Sequence, residues 1–177
     1  MTTSHQHSFH NGKSSEDILD VLVDVTGFVL QTVAMMEVDW VEECQTDVDL
    51  ANPSGTITAS MKMTGDVEGV FALSVPVALA KRIGCAIAYC EPEELPDELL
   101  NEGVGEIVNQ ITGTLRTRLS IARTQTTILL PQIIDTEGHE IDMGTSNPCF
   151  TVAVDCAGER LLLRSTLRAA SAPVPAS

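Results

Sequence analysis

An α+β domain, its helices packed on an antiparallel or mixed sheet, is the fold class predicted for this chain of 177 residues. The length suits one ordinary domain with tails and is short for two. Apolar residues recur at helical spacing in some stretches and alternate or run together in others. The stretches follow one another as helix, two strands, two helices, three strands, an order that places helices over a sheet rather than in strict βα alternation.

Each element has its own justification. Residues 1–13 are polar, with His5, His7 and His10 close together, and residues 169–177 are rich in Ala, Ser and Pro; both ends are predicted to be disordered, leaving 14–168 as the domain. Three histidines in a flexible tail, without acidic or cysteine partners, are not read as a metal site. Ser14-Ser15-Glu16-Asp17 offers an N-cap and an acidic first turn, and Ile18, Leu19, Leu22, Val25, Phe28, Val29 and Val33 then predict a long helix over 15–37. A polar connection through Asn52-Pro53-Ser54-Gly55 leads to the alternation Ile57, Ala59, Met61, Met63 against Thr58, Ser60, Lys62, Thr64, a strand with one buried face. Gly65-Asp66 predicts a tight turn into a second strand, 68–74. Pro76 can open the next helix, whose apolar face is Val77, Leu79, Ala80, Ile83, Ala86 and Ile87. Glu91-Pro92-Glu93-Glu94-Leu95-Pro96 ends it and prepares a further helix over 98–119. The β-branched run 126–134 reads as a strand in which Pro131 marks an edge, an end or a bulge. Two more strands, 150–155 and 160–167, are joined by Cys156-Ala157-Gly158-Glu159 as a hairpin.

Composition narrows the function. Aromatics are only 3% of residues and the formal charge is −15. Polyanion binding rests on neutralising phosphates, so nucleic acid and anionic membranes are disfavoured as partners. No run of about 18 apolar residues and no signal-like N-terminus is present, predicting a cytoplasmic protein with no membrane insertion. The five cysteines contain no two-residue-spaced pair, so they read as reduced, mostly buried small hydrophobes rather than a disulfide scaffold or zinc site.

The helix over 98–119 holds the candidate site. At about 100° per residue, Glu102, Glu106 and Asn109 fall within roughly 60° of one another, with Gly105 and Gly113 in or beside the same stripe. Leu100, Val104, Ile107, Val108, Ile111 and Leu115 form the opposite, apolar face. Asn and Gly are poor helix formers, so the wet face gives up helix stability, each Gly about 1 kcal/mol relative to Ala. A bare stripe also suits close helix packing. Chemically, a Glu and an Asn without a nucleophile and adjacent base do not point to covalent catalysis, and two acids make a poor metal cage. They can instead dock onto another protein's site, the carboxylate pairing with a cation and the carboxamide positioning a water. Phosphoryl hydrolysis suits that division, because its catalysis is mostly positioning and charge stabilisation. A faint echo lies in the first helix, where Asp20 and Asp24 are followed by Gly27 in place of the carboxamide.

On these residues the chain resembles the CheC/CheX/FliY family of chemotaxis phosphatases, most closely the CheX type. The family signature is Asp or Ser, three residues, Glu, two residues, Asn, and a Pro roughly twenty residues later; Glu102, Glu106, Asn109 and Pro131 fall on it. The Gly69–Ser74 strand, the Ala-rich helix after Pro76, Asn109-Gln110-Ile111-Thr112-Gly113 and the segment from Pro131 through Gly138-His139-Glu140-Ile141 extend the similarity to about 15–168. Glu102 departs from the pattern by one methylene. The resemblance implies a CheC/CheX-like fold and hydrolysis of the aspartyl phosphate of a CheY-type receiver. In that reading Glu106 pairs with the receiver's lysine, Asn109 orients the attacking water, and Glu102, Gly105 and Gly113 meet the partner. The chain would need no cofactor of its own, the receiver supplying Mg²⁺, and it would form a homodimer through sheet edges. The alternative is a non-catalytic module that binds a receiver or adaptor through the same stripe.

Overall fold

The computed structural model describes residues 15–45, 50–119, 126–144 and 148–170. His5, His7 and His10 lie outside them. The elements are α1 (Ser15–Val33), β1 (Val38–Gln45), β2 (Thr56–Thr64), β3 (Val67–Pro76), α2 (Val77–Ala88), α3 (Glu98–Arg118), β4 (Thr127–Ile128), β5 (Gln132–Ile134), β6 (Phe150–Cys156), β7 (Glu159–Ser165) and β8 (Arg168–Ala169). The strands form one eight-stranded sheet in the order β1-β6-β7-β3-β2-β4, with β5 beside β2 and β8 beside β3. Every strand pairing is antiparallel. The α+β class holds, and helices cover one face of the sheet.

Four features differ from expectation. The first helix stops at Val33 instead of 37, because Met35 adopts a left-handed φ of 53° and turns the chain, its neighbour Met36 donating its N–H back to Leu30. Residues 38–45, expected to be connection, form β1 and pair with β6. Their alternation is interrupted by a register shift between Trp40 and Glu42, and a bulge of this kind hides the period of two from a local reading. The run 126–134 splits into β4 and β5 around Leu129-Leu130-Pro131, since Pro131 has no N–H to give the ladder. The sheet also takes in Ala169, which pairs with Val67.

The two sheet faces differ in kind. Ile57, Ala59, Met61 and Met63 of β2, Phe71, Leu73 and Val75 of β3, and Leu161 and Leu163 of β7 point at the helices and join Leu22, Leu30, Ile83, Ile107 and Ile111 in one core. The strict alternation of these positions is what fixes which face each strand buries. On the other face lies a buried polar chain, in which the Asn52 carboxamide oxygen accepts from Thr58 at 2.6 Å, Thr58 meets Ser74 at 2.6 Å, and Arg164 donates to Ser74 at 2.8 Å. A small apolar cluster of Val70, Ala72, Ile141 and Met143 closes that side. Against the core, α2 crosses α3 at a point where a Cβ on Gly103 would stand 3.3 Å from the Gly84 Cα. The pair of glycines is what allows the backbones to come so close.

Candidate functional site

The register of α3 is set by its apolar face. Val104, Ile107, Val108, Ile111 and Leu115 are all fully buried. That leaves Glu102 and Asn109 exposed and Glu106 partly exposed on the same side of the helix. Arg116 and Arg118 in the last turn and Glu98 in the first suit the helix dipole.

Glu106 is held in place. The Gln110 side-chain amide donates to its Oε1 at 2.7 Å, an i, i+4 bond along the helix surface. A carboxylate accepts through both oxygens, so this bond orients Glu106 without exhausting it. Sequence reasoning passed over Gln110 as a partner of this candidate residue, and the spacing to Glu106 was the signal that could have found it.

The two glycines separate. Gly113 is exposed, and a Cβ built there would meet nothing within 4 Å, so no packing contact among the described residues explains it. Gly105 is buried, and a Cβ there would sit 3.4 Å from Ile133 Cδ1 of β5. Its place is the seat of the β4–β5 segment on α3 rather than the open stripe. A second tie joins the same elements, because the Asn101 side-chain amide donates to Asp135 Oδ2 at 2.9 Å and this bond holds the Asp135 carboxyl below its ordinary value. Pro131 lies in that segment, flanked by Leu130, 88% exposed, and by the exposed Leu129 and Ile133. Ile133 therefore gives α3 an apolar neighbour at Gly105, in the segment where Leu129 and Leu130 stand exposed. Their exposure was not foreseen, since a β-branched, apolar run reads locally as a buried strand.

The echo in α1 lacks the carboxamide. Asp20 and Asp24 are exposed there, and an open depression of about 450 Å³ is lined by Asp24, Gly27, Phe28, Gln31, Glu37 and Asp39. Gly27 stands where α3 has Asn109, and the next position is Phe28, whose ring lies 5.8 Å beneath the Arg118 guanidinium. The polar pair of α3 has no counterpart there. Among the described residues, no cluster of three or more His, Cys, Asp or Glu side chains is placed to hold a metal ion, and no helix is long and apolar enough to cross a membrane.

Comparison with known proteins agrees with the architecture. The chain matches the sequence profile of the family described as chemotaxis phosphatase CheX over residues 57–155, more than half of its length. No curated protein matches it. Among solved structures it is similar to a chemotaxis protein CheX from Desulfovibrio desulfuricans, with a TM-score of 0.71 at 21% identity, covering 84% of this chain and 97% of that one. CheX from Vibrio vulnificus superposes with a TM-score of 0.72 at 18% identity, covering 86% and 99%. A CheX–CheY–BeF₃–Mg²⁺ complex from Borrelia burgdorferi is matched with a TM-score of 0.66 at 18% identity, covering 86% and 98%. With a family profile that spans β3, α2 and the whole of α3 and covers more than half of the sequence, the chain belongs to the CheX family of chemotaxis phosphatases.

Proposed function

We propose that this protein hydrolyses the aspartyl phosphate of a CheY-type receiver domain, with Glu106 and Asn109 of α3 as the groups that enter the receiver's site. One observation carries the reading: in a chain of this family, Glu106 and Asn109 stand on the solvent side of a helix whose opposite face is fully buried. Both can reach a partner without any rearrangement of the core.

The division of labour follows from the side chains. Glu106, oriented by Gln110, supplies a carboxylate to a lysine of the receiver, a charge-assisted contact that sets the depth and angle of docking. Asn109 brings a donor and an acceptor on one planar group, which suits it to hold a water in line with the phosphorus–oxygen bond that breaks. The receiver brings the phosphoryl group and the Mg²⁺ that neutralises its charge. The Borrelia complex joins CheX to CheY with BeF₃ and Mg²⁺, and BeF₃ is a phosphoryl mimic, which supports a phosphorylated receiver as the substrate here. Glu102 and the bare surface at Gly113 extend the contact along the helix.

The test is the rate of phosphate loss from candidate phospho-receivers with purified protein and with Asn109→Ala. Acceleration by the wild-type chain and its loss in the variant support the assignment. Binding of a phospho-receiver without any acceleration would favour the alternative, a non-catalytic receiver- or adaptor-binding module on the same fold.

A further inference from the structure

Away from the α3 stripe, two cysteines meet at the end of α2. The helix closes in a Schellman turn: Tyr89 is left-handed at φ 54° and ψ 44°, and the N–H groups of Tyr89 and Cys90 both donate to the Cys85 carbonyl, the second at 3.3 Å. In such a turn the side chains of the first and sixth residues habitually lie against each other. Here both are thiols, Cys85 and Cys90. Both side chains are partly exposed and line an open depression of about 260 Å³ with Met35, Tyr89, Glu91 and Glu94. Access from solvent and closeness in the fold are what thiol pairing requires.

We propose that Cys85 and Cys90 are an oxidisable dithiol, converted by a peroxide-class oxidant into a disulfide that clamps the C-terminal turn of α2. The Cys85 sulfur, as thiolate, attacks the O–O bond of hydrogen peroxide, giving a sulfenic acid and, with one proton, a water. The Cys90 sulfur then displaces the sulfenic hydroxyl, its own proton leaving with that group as a second water. Two thiols and one peroxide thus yield one disulfide and two waters, the sulfurs losing the two electrons that the peroxide oxygens gain. The order of attack follows from the surroundings. Burial, then Cys85, then Glu94 and Glu91, which line the same depression, push the Cys90 thiol up, and a thiol held protonated suits the resolving role. The clamp would form next to Gly84, the residue on which α3 crosses α2.

The experiment treats the full-length protein with a small excess of hydrogen peroxide, alkylates the remaining thiols, and digests with trypsin. Cleavage after Arg82 and Arg116 leaves both cysteines, and no methionine, in the single peptide 83–116. The expected product is that peptide about 2 Da lighter, unalkylated, and doubly alkylated only after reduction. Cys90→Ser is expected to leave a sulfenic acid on Cys85 that dimedone traps, and Cys85→Ser to leave Cys90 largely alkylated at the same dose. Circular dichroism of both variants checks that they fold. A doubly alkylated 83–116 under conditions that oxidise another cysteine of the chain would overturn the proposal, as would a disulfide from Cys85 or Cys90 to any other peptide.

Discussion

Asn109 touches solvent rather than core, so replacing it by alanine should leave the fold and receiver binding nearly unchanged while slowing dephosphorylation by about 10²-fold, the size of loss expected when a water-positioning group is removed. Single-turnover decay of phospho-receiver, beside a binding titration, separates the two effects. Glu106→Ala should weaken binding as well as turnover, by about 2–5 kcal/mol where the contact is desolvated. Gln110→Ala is expected to act through Glu106, with a smaller loss of about tenfold or less that vanishes when Glu106 is already alanine. A double-mutant cycle reads that coupling. The outward face of Glu106 and Asn109 was legible in the sequence, because the buried positions Val104, Ile107, Val108 and Ile111 define the opposite side by period alone. Gly105 was not, since its neighbour Ile133 lies 28 residues further on and no local pattern announces the contact.

Among the elements, α3 is the one whose placement matters most, and its two kinds of glycine give opposite expectations. Gly113→Ala should raise stability by about 0.5–1 kcal/mol in chemical denaturation, because the added methyl meets nothing and helix propensity improves. Gly103→Val should lower it by about 1–3 kcal/mol, because the branched side chain would be driven into the Gly84 backbone. The tie between α3 and β5 has a pH signature. The Asn101 bond depresses Asp135, and a hydrogen bond and charge from Arg160 depress Asp155, both from an ordinary value of 3.8. Carboxyls depressed in the folded state add stability that is complete above that value and is lost as pH falls through the lower folded one. Asn101→Ala should return the Asp135 carboxyl toward its ordinary value in an NMR titration. Helix positions, the β2–β3 turn and the β6–β7 hairpin were all readable, since their signals are local. The strand β1 was not, its period broken by a bulge and its sequence acidic.

At the scale of the molecule, the sheet ends in β1 on one side and in β4 with β5 on the other. Exposed edges invite pairing, and we expect a homodimer formed by joining them, as the likeness to the family implies. Light scattering at micromolar concentration should report twice the chain mass of 18.9 kDa; a monomer would remove the expectation. The formal charge of −15 adds a further expectation. If Glu106 meets a lysine, receiver affinity should fall as salt rises, through slower association as well as a weaker contact.

The neighbour of β1 is β6, more than a hundred residues later in the chain, and β3 is joined to β1 only through β6 and β7. The β2–β3 hairpin can close early, but β1 cannot be paired until the end. While the protein is being synthesised, α1 must wait for α3, and the edge of β1 for the last hairpin to leave the ribosome, since the strands that separate β1 from β3 are the last long ones to appear. Non-local pairing of this kind folds slowly and leaves sticky surface open in the interval. Nascent chains arrested before β6 should be sensitive to protease throughout, and chains arrested after β7 has emerged should become resistant in a single step.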